Sequence, residues 1–121
     1  MVKLEFVEEV VSVGQIRVSV AVCRLANGVL IFVSDGDHRV GTIGVGVPTP
    51  FGDLSQTATS CLVGTRFQAA VRAISEIAAD RFGGIAVVNL FLSRENEAFV
   101  SSVLAAIRKV ILKLNDEAAD E

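Results

Sequence analysis

The residues whose types and spacing invite a chemical reading lie in HRVGTIGVGVPTP, His38 to Pro50, where three glycines fall within six residues close to the chain's one histidine. Gly41 and Gly46 have the four-residue gap of a phosphate-binding loop, but Val47 and Pro48 stand where the lysine and the magnesium-binding hydroxyl belong. The order GxxGxG also reverses the dinucleotide fingerprint. No helix follows whose N-terminal dipole would hold an anion, so a nucleotide site is not expected. His38 beside Asp35 and Asp37 offers one acid/base group on a polar turn, too few ligands for a metal centre. Ser60-Cys61 has no evident base partner, and no GxSxG elbow occurs. No catalytic residue, metal or cofactor is therefore assigned, and a non-enzyme is expected.

Read as a strand, the same stretch puts Ile43, Val45 and Val47 on one face and Thr42, Gly44 and Gly46 on the other, which is left almost without side chains. Such a bare strip lets another backbone or a helix come close. The elements around it follow from periodicity. After an opening strand from Leu4 to Val13, IRVSVAVCRL alternates, with Ile16, Val18, Val20 and Val22 opposite Arg17, Ser19, Ala21 and Cys23. Asn27-Gly28 then reads as a type I′ hairpin turn into VLIFV. A turn at SDGD leads into the glycine stretch, so four strands in an antiparallel meander are expected, closed by SCLVG after a long loop.

From Thr65 the period changes from 2 to 3.6. Thr65 and Gln68 have capping-box spacing, Phe67, Val71, Ile74, Ile77 and Ala78 share a helical face, and Gly83-Gly84 stop the helix. IAVVNLFL is a buried strand. Ser93 is the expected cap of a last helix ending near Leu114, and NDEAADE, residues 115–121, reads as a frayed acidic tail. The fold class is α+β: a mostly antiparallel sheet of about six strands with two helices on one face, in the order ββββ(β)-α-β-α.

At 121 residues the chain is read as a single domain, 1–121, with no linker or repeat. It is 51% apolar, yet no run approaches the roughly 18 apolar residues of a membrane helix. The acidic start, with no basic n-region, suits a cytoplasmic protein. Cys23 and Cys61 read as buried free thiols, and a net charge of −3 gives no global attraction to nucleic acid or to a membrane.

The informative surplus is apolar. Val100, Val103, Leu104, Ile107, Val110, Ile111 and Leu114 already form a full core stripe on the last helix, and Phe99 and Ala106 widen it. Alanines, among them Ala70 and Ala73, extend the first helix's stripe in the same way. The expectation is a homodimer, or a higher homo-oligomer, that meets through the helices, with Phe99, Val103, Ala106, Val110, Ala70 and Ala73 as candidate interface residues. The loop PTPFGDLS offers Thr49, Pro50, Phe51 and Asp53 as a candidate partner-binding segment, Phe51 being its apolar anchor.

Element order and lengths from about Val18 to Leu114, with Cys61-Leu62-Val63-Gly64 just before the first helix, resemble the proteasome assembly chaperones three and four, whose strand ends in Leu-Leu-Gly at that place. The resemblance implies a non-enzymatic dimer that escorts α-type subunits during assembly of the 20S proteasome ring, here in a simpler, archaeal-type form. It transfers no catalytic residue. The alternative is a small-molecule binding or regulatory domain that uses Asp35 to Gly46.

Overall fold

Alternation of apolar and polar residues in β2 (Ile16–Leu25) and a continuous apolar, β-branched run in β3 (Gly28–Ser34) produce strands that pair antiparallel in sequence order with each other and with β1 (Phe6–Val13). They are followed by β4 (Thr42–Pro48), β5 (Thr57–Val63), helix α1 (Gln68–Phe82), β6 (Ile85–Phe91) and helix α2 (Glu97–Ala119). This computed structural model describes residues 4–48 and 57–119. The expected α+β class stands, with six strands in one sheet ordered β1-β2-β3-β6-β4-β5. The sheet is mixed: β3 and β6 run parallel, and the other pairings are antiparallel.

The four-strand meander is corrected. β4 does not pair with β3, because β6 lies between them and bonds to both. Ala86, Val88 and Leu90 of β6 are almost wholly buried, and a strand that apolar is most stable at the centre of a sheet, with both edges paired and one face under a helix. A hairpin rule that acts on adjacent segments cannot see a strand arriving some forty residues later. The hairpin turn is also one residue earlier than expected. Leu25 pairs with Gly28, so the two turn residues are Ala26 and Asn27. Gly28 is needed in the ladder, where a Cβ would collide with the Ile85 carbonyl and where Ile85 N–H donates to the Asn27 carbonyl at 3.0 Å.

Two helix starts differ from the expected caps. Phe67, not Thr65, stands at the α1 N-cap, in a left-handed conformation (φ 60°) and with no side-chain cap bond; Gln68 Nε2 instead donates back to the Gly64 carbonyl at 3.2 Å. For α2 the cap is Asn96, three residues after Ser93: its Oδ1 accepts from Phe99 N–H at 3.1 Å. The helix also runs past Leu114 to Ala119. Gly83, at φ 69°, ends α1 as expected.

Both helices cover the same sheet face. Val18, Val20 and Val22 of β2 and Val29, Ile31 and Val33 of β3 join Val71, Ile74 and Ala78 of α1 and Val103, Ile107 and Ile111 of α2 in one core. Cys23, on the opposite face, is a buried free thiol; the side chain of Cys61 lies outside the described residues. Arg24 clips the ends of the helices together, donating to the Leu114 carbonyl and stacking 4.9 Å over the Phe82 ring.

The glycine strip of β4 acts as its pattern suggests. Gly44 and Gly46 are buried under α1, and a Cβ on Gly46 would run into the backbone carbonyl of Ser75. Gly46→Ala should therefore lower the unfolding free energy by about 1–3 kcal/mol through overpacking against backbone, seen as a lower urea midpoint at unchanged slope. Gly36→Ala, where nothing lies within 4 Å of the added carbon, is the matched control and should change the midpoint little.

Candidate interaction surface

With both helices on one side, no other element among the described residues forms a layer over the opposite face of the sheet, and its side chains can be read row by row from the register. Phe6 of β1, Cys23 of β2, Leu30 of β3, Val87 of β6 and Val45 of β4 form one row across five strands. The next row is Glu8, Ala21, Phe32, Asn89 and Ile43. Phe6 and Phe32 touch diagonally, with ring centroids 5.8 Å apart, and bridge the two rows. Phe6 at 47% exposed, Val10 at 56% and Val47 at 41% carry large apolar surface into solvent on this face, while Leu30, Phe32, Ile43, Val45 and Val87 are half-buried. A sheet with one wet face ordinarily places polar residues there. This one does so at its margin, with Arg17, Ser19, Ser12 and Glu8, and at the buried Asn89 of β6.

One end of the face is crossed by residues 35–41, held by paired polar contacts. Asn89, the one polar residue in the β6 run, donates from Nδ2 to the Arg39 carbonyl and accepts at Oδ1 from Gly41 N–H, both at 2.8 Å. The Asp35 carboxylate accepts from Ser93 N–H at 2.9 Å and from the Ser93 hydroxyl at 2.8 Å, tying the end of β3 to the segment before α2. Ser34 Oγ donates to the Asp37 carbonyl at 2.8 Å. These bonds fix a strap that shields Phe91, over which Arg39 stacks at 5.8 Å.

His38 belongs to the strap. The Ser19 hydroxyl donates to Glu8 Oε1 at 2.6 Å, and His38 Nε2 lies 3.2 Å from Ser19 Oγ. With the serine proton directed at the carboxylate, the imidazole N–H donates to Ser19, the reverse of the arrangement that activates a serine nucleophile. Asp35 and Asp37 do not converge on His38, and among the described residues no group of three or more His, Cys, Asp or Glu side chains could hold a metal ion. Among the described residues no helix is long and apolar enough to cross a membrane.

The candidate helix residues divide. Val103, Val110 and Ala70 are at least 95% buried within the chain itself, so their surface goes to the core. Phe99, Ala73 and Ala106 are half-buried at its border. The candidate loop residues Thr49, Pro50, Phe51 and Asp53 lie outside the described residues. What sequence reasoning missed is the open sheet face and its organiser, Asn89. The available signal was a single amide inside IAVVNLFL, a residue that a buried strand keeps only if both ends of the amide are bonded.

No protein-family model and no curated protein matches the chain. Among solved structures, a chain in the crystal structure of a novel chaperone complex for yeast 20S proteasome assembly is similar in fold, with a TM-score of 0.65 at 14% identity, covering 97% of this chain and 96% of that one.

The strap yields a direct test. Asn89→Leu removes both amide bonds and strands the Arg39 carbonyl and the Gly41 N–H, at a cost of about 2–4 kcal/mol. Hydrogen exchange should accelerate at Gly41 far more than at the core amides of β2.

Proposed function

We propose that the chain is a non-enzymatic assembly chaperone-like protein that works as a pair of identical copies and binds proteasome α-type subunits. The observation that carries this reading is the uncovered apolar sheet face on a chain whose fold is similar to that of a chaperone from a proteasome assembly complex. Because α1 and α2 spend their main stripes on their own core, the pairing is assigned to the open sheet face, two sheets stacking with the helices outside.

The dimensions favour this. Six strands spaced about 4.8 Å apart and about seven residues long at 3.3 Å each give a flat footprint of about 24 by 23 Å, or about 550 Å² per copy. Doubled, that clears the roughly 1,000 Å² that separates specific interfaces from incidental ones. Stacked sheets pack about 10 Å apart with interdigitating side chains, which suits Phe6, Phe32, Val45 and Val47. The Glu8–Ser19–His38 chain of hydrogen bonds supplies partners for the polar groups at the margin of such an interface. With the sheets occupied, the α-subunit contact falls to loops, Phe51 being the apolar anchor that the sequence offers.

Sedimentation at micromolar concentration should give a dimer. Phe6→Asp and Val47→Asp, both at exposed positions, should yield folded monomers, because each puts an unpaired charge into the buried seam and weakens association by roughly a hundredfold or more. Phe99→Asp, on α2, should leave the dimer intact; the opposite pattern would move the interface to the helices. Immobilised protein should retain recombinant proteasome α subunits, and Phe51→Ser should weaken that retention without changing the melting temperature. A wild-type chain that retains no α subunit overturns the chaperone reading even if it dimerises.

A further inference from the structure

Among the described residues, the other long feature without a neighbour is the outer edge of β1, the first strand of the sheet. Natural edge strands are usually blunted by a bulge, a proline, a lysine or a covering element. β1 has none of the first three: it pairs with β2 over eight residues, Phe6 to Val13, without a register shift, and it contains neither proline nor lysine. Nor does α2 close over it. A groove of about 600 Å³ runs between β1 and α2, with Val11 and Val13 on the strand side and Ala105, Ala106 and Val110 on the helix side.

We propose that this groove takes an extended acidic peptide segment of a partner, which adds as a further strand to the edge of β1. Alternate backbone N–H and C=O groups of an edge strand point away from the sheet and supply main-chain bonds for such an addition. The length matches: Ser102 to Lys113 spans about 16 Å of helix, the reach of about five residues of extended chain. Alternate side chains of that strand would point down against Val11, Val13 and Ala105.

Charge selects the partner. Among the described residues, the charged ones that line the groove are Glu9, Lys109 and Lys113, and Glu9 is already engaged by Lys113 at 3.1 Å. The groove is thus net positive on a chain whose overall charge is −3, and it favours a carboxylate beside Lys109. A second copy is the poorer occupant: two β1 strands paired antiparallel about their middles would set Glu9 opposite Val10 and bring Glu8 of one copy diagonal to Glu9 of the other, like charges on one face.

The probe is a capped peptide of alternating threonine and valine ending in two aspartates, titrated into isotope-labelled full chain, with an otherwise identical peptide ending in two lysines as control. Amide shifts confined to β1 and the adjoining side of α2, with the acidic peptide bound about tenfold more tightly, support the proposal. Lys109→Glu should invert that preference. Ala105→Phe, which fills the groove from an exposed position, should weaken both peptides about tenfold at an unchanged melting temperature. The proposal is overturned by shifts elsewhere or none, by an Ala105→Phe variant that binds as well as the wild type, or by shifts of β1 and the facing side of α2 that appear with protein concentration alone in the Val47→Asp variant, whose sheet face cannot pair, which would make a second copy the occupant. None of these outcomes depends on proteasome subunits or on the open sheet face.

Discussion

The close approach of α1 to β4 is the constraint on which the rest of the molecule turns. A helix normally rests on a sheet through side chains from both; here Gly44 and Gly46 provide none, so the helix backbone at Ser75 meets the strand directly. Ser75 tolerates full burial because its hydroxyl donates to the Val71 carbonyl one turn earlier, at 2.7 Å. With α1 seated this low, β6 can lie centrally beneath the same layer, its Ala86, Val88 and Leu90 filling the space that larger β4 residues would have taken.

The inversion on β4 decides the character of the opposite face. In a two-layer α+β domain the bulky residues of a strand face the helices and the small or polar ones face water. β4 does the reverse: glycine faces the helix, while Ile43, Val45 and Val47 face outward. Phe6, Leu30, Phe32 and Val87 continue that apolar surface across the sheet, so it is a property of several strands at once. An apolar surface of that extent marks an interaction site more often than an accident of composition.

Much of this was legible in the residues. The alternation of β2, the return of β3 after a turn, the change of period at α1, the long apolar stripe of α2 and the glycine strip as a place of close approach all follow from local pattern, because each is set by neighbours within a few positions. What local pattern does not contain is pairing between distant segments. The insertion of β6 between β3 and β4 depends on which strand is most apolar overall, and it converts a meander into a mixed sheet. The apolar surplus of the last helix was read with the same local view. Val103 and Val110 are apolar in excess of what a helix needs in isolation, but the second helix and the β2–β3 floor consume that excess once they are in place. Phe67 in the left-handed region has no sequence signature, since that conformation costs a non-glycine residue energy that only the surrounding fold can offset.

Opening one face has a consequence for how the other surfaces can be used. If two copies stack sheet to sheet, the edge of β1 and its groove with α2 remain accessible at the rim, because the groove lies on the helix side while the Phe6 row faces the seam. Strand periodicity enforces that separation: adjacent residues of β1 belong to different surfaces, Phe6, Glu8 and Val10 to the open face and Glu9, Val11 and Val13 to the groove. A substitution at Val10 and one at Val11 therefore test different interactions although they are neighbours in the chain. A one-residue slip of β1 against β2 would exchange the two sets at a stroke. The packing of Val11 and Val13 against the core opposes such a slip, since it would turn both to the open face and bring Ser12 inward.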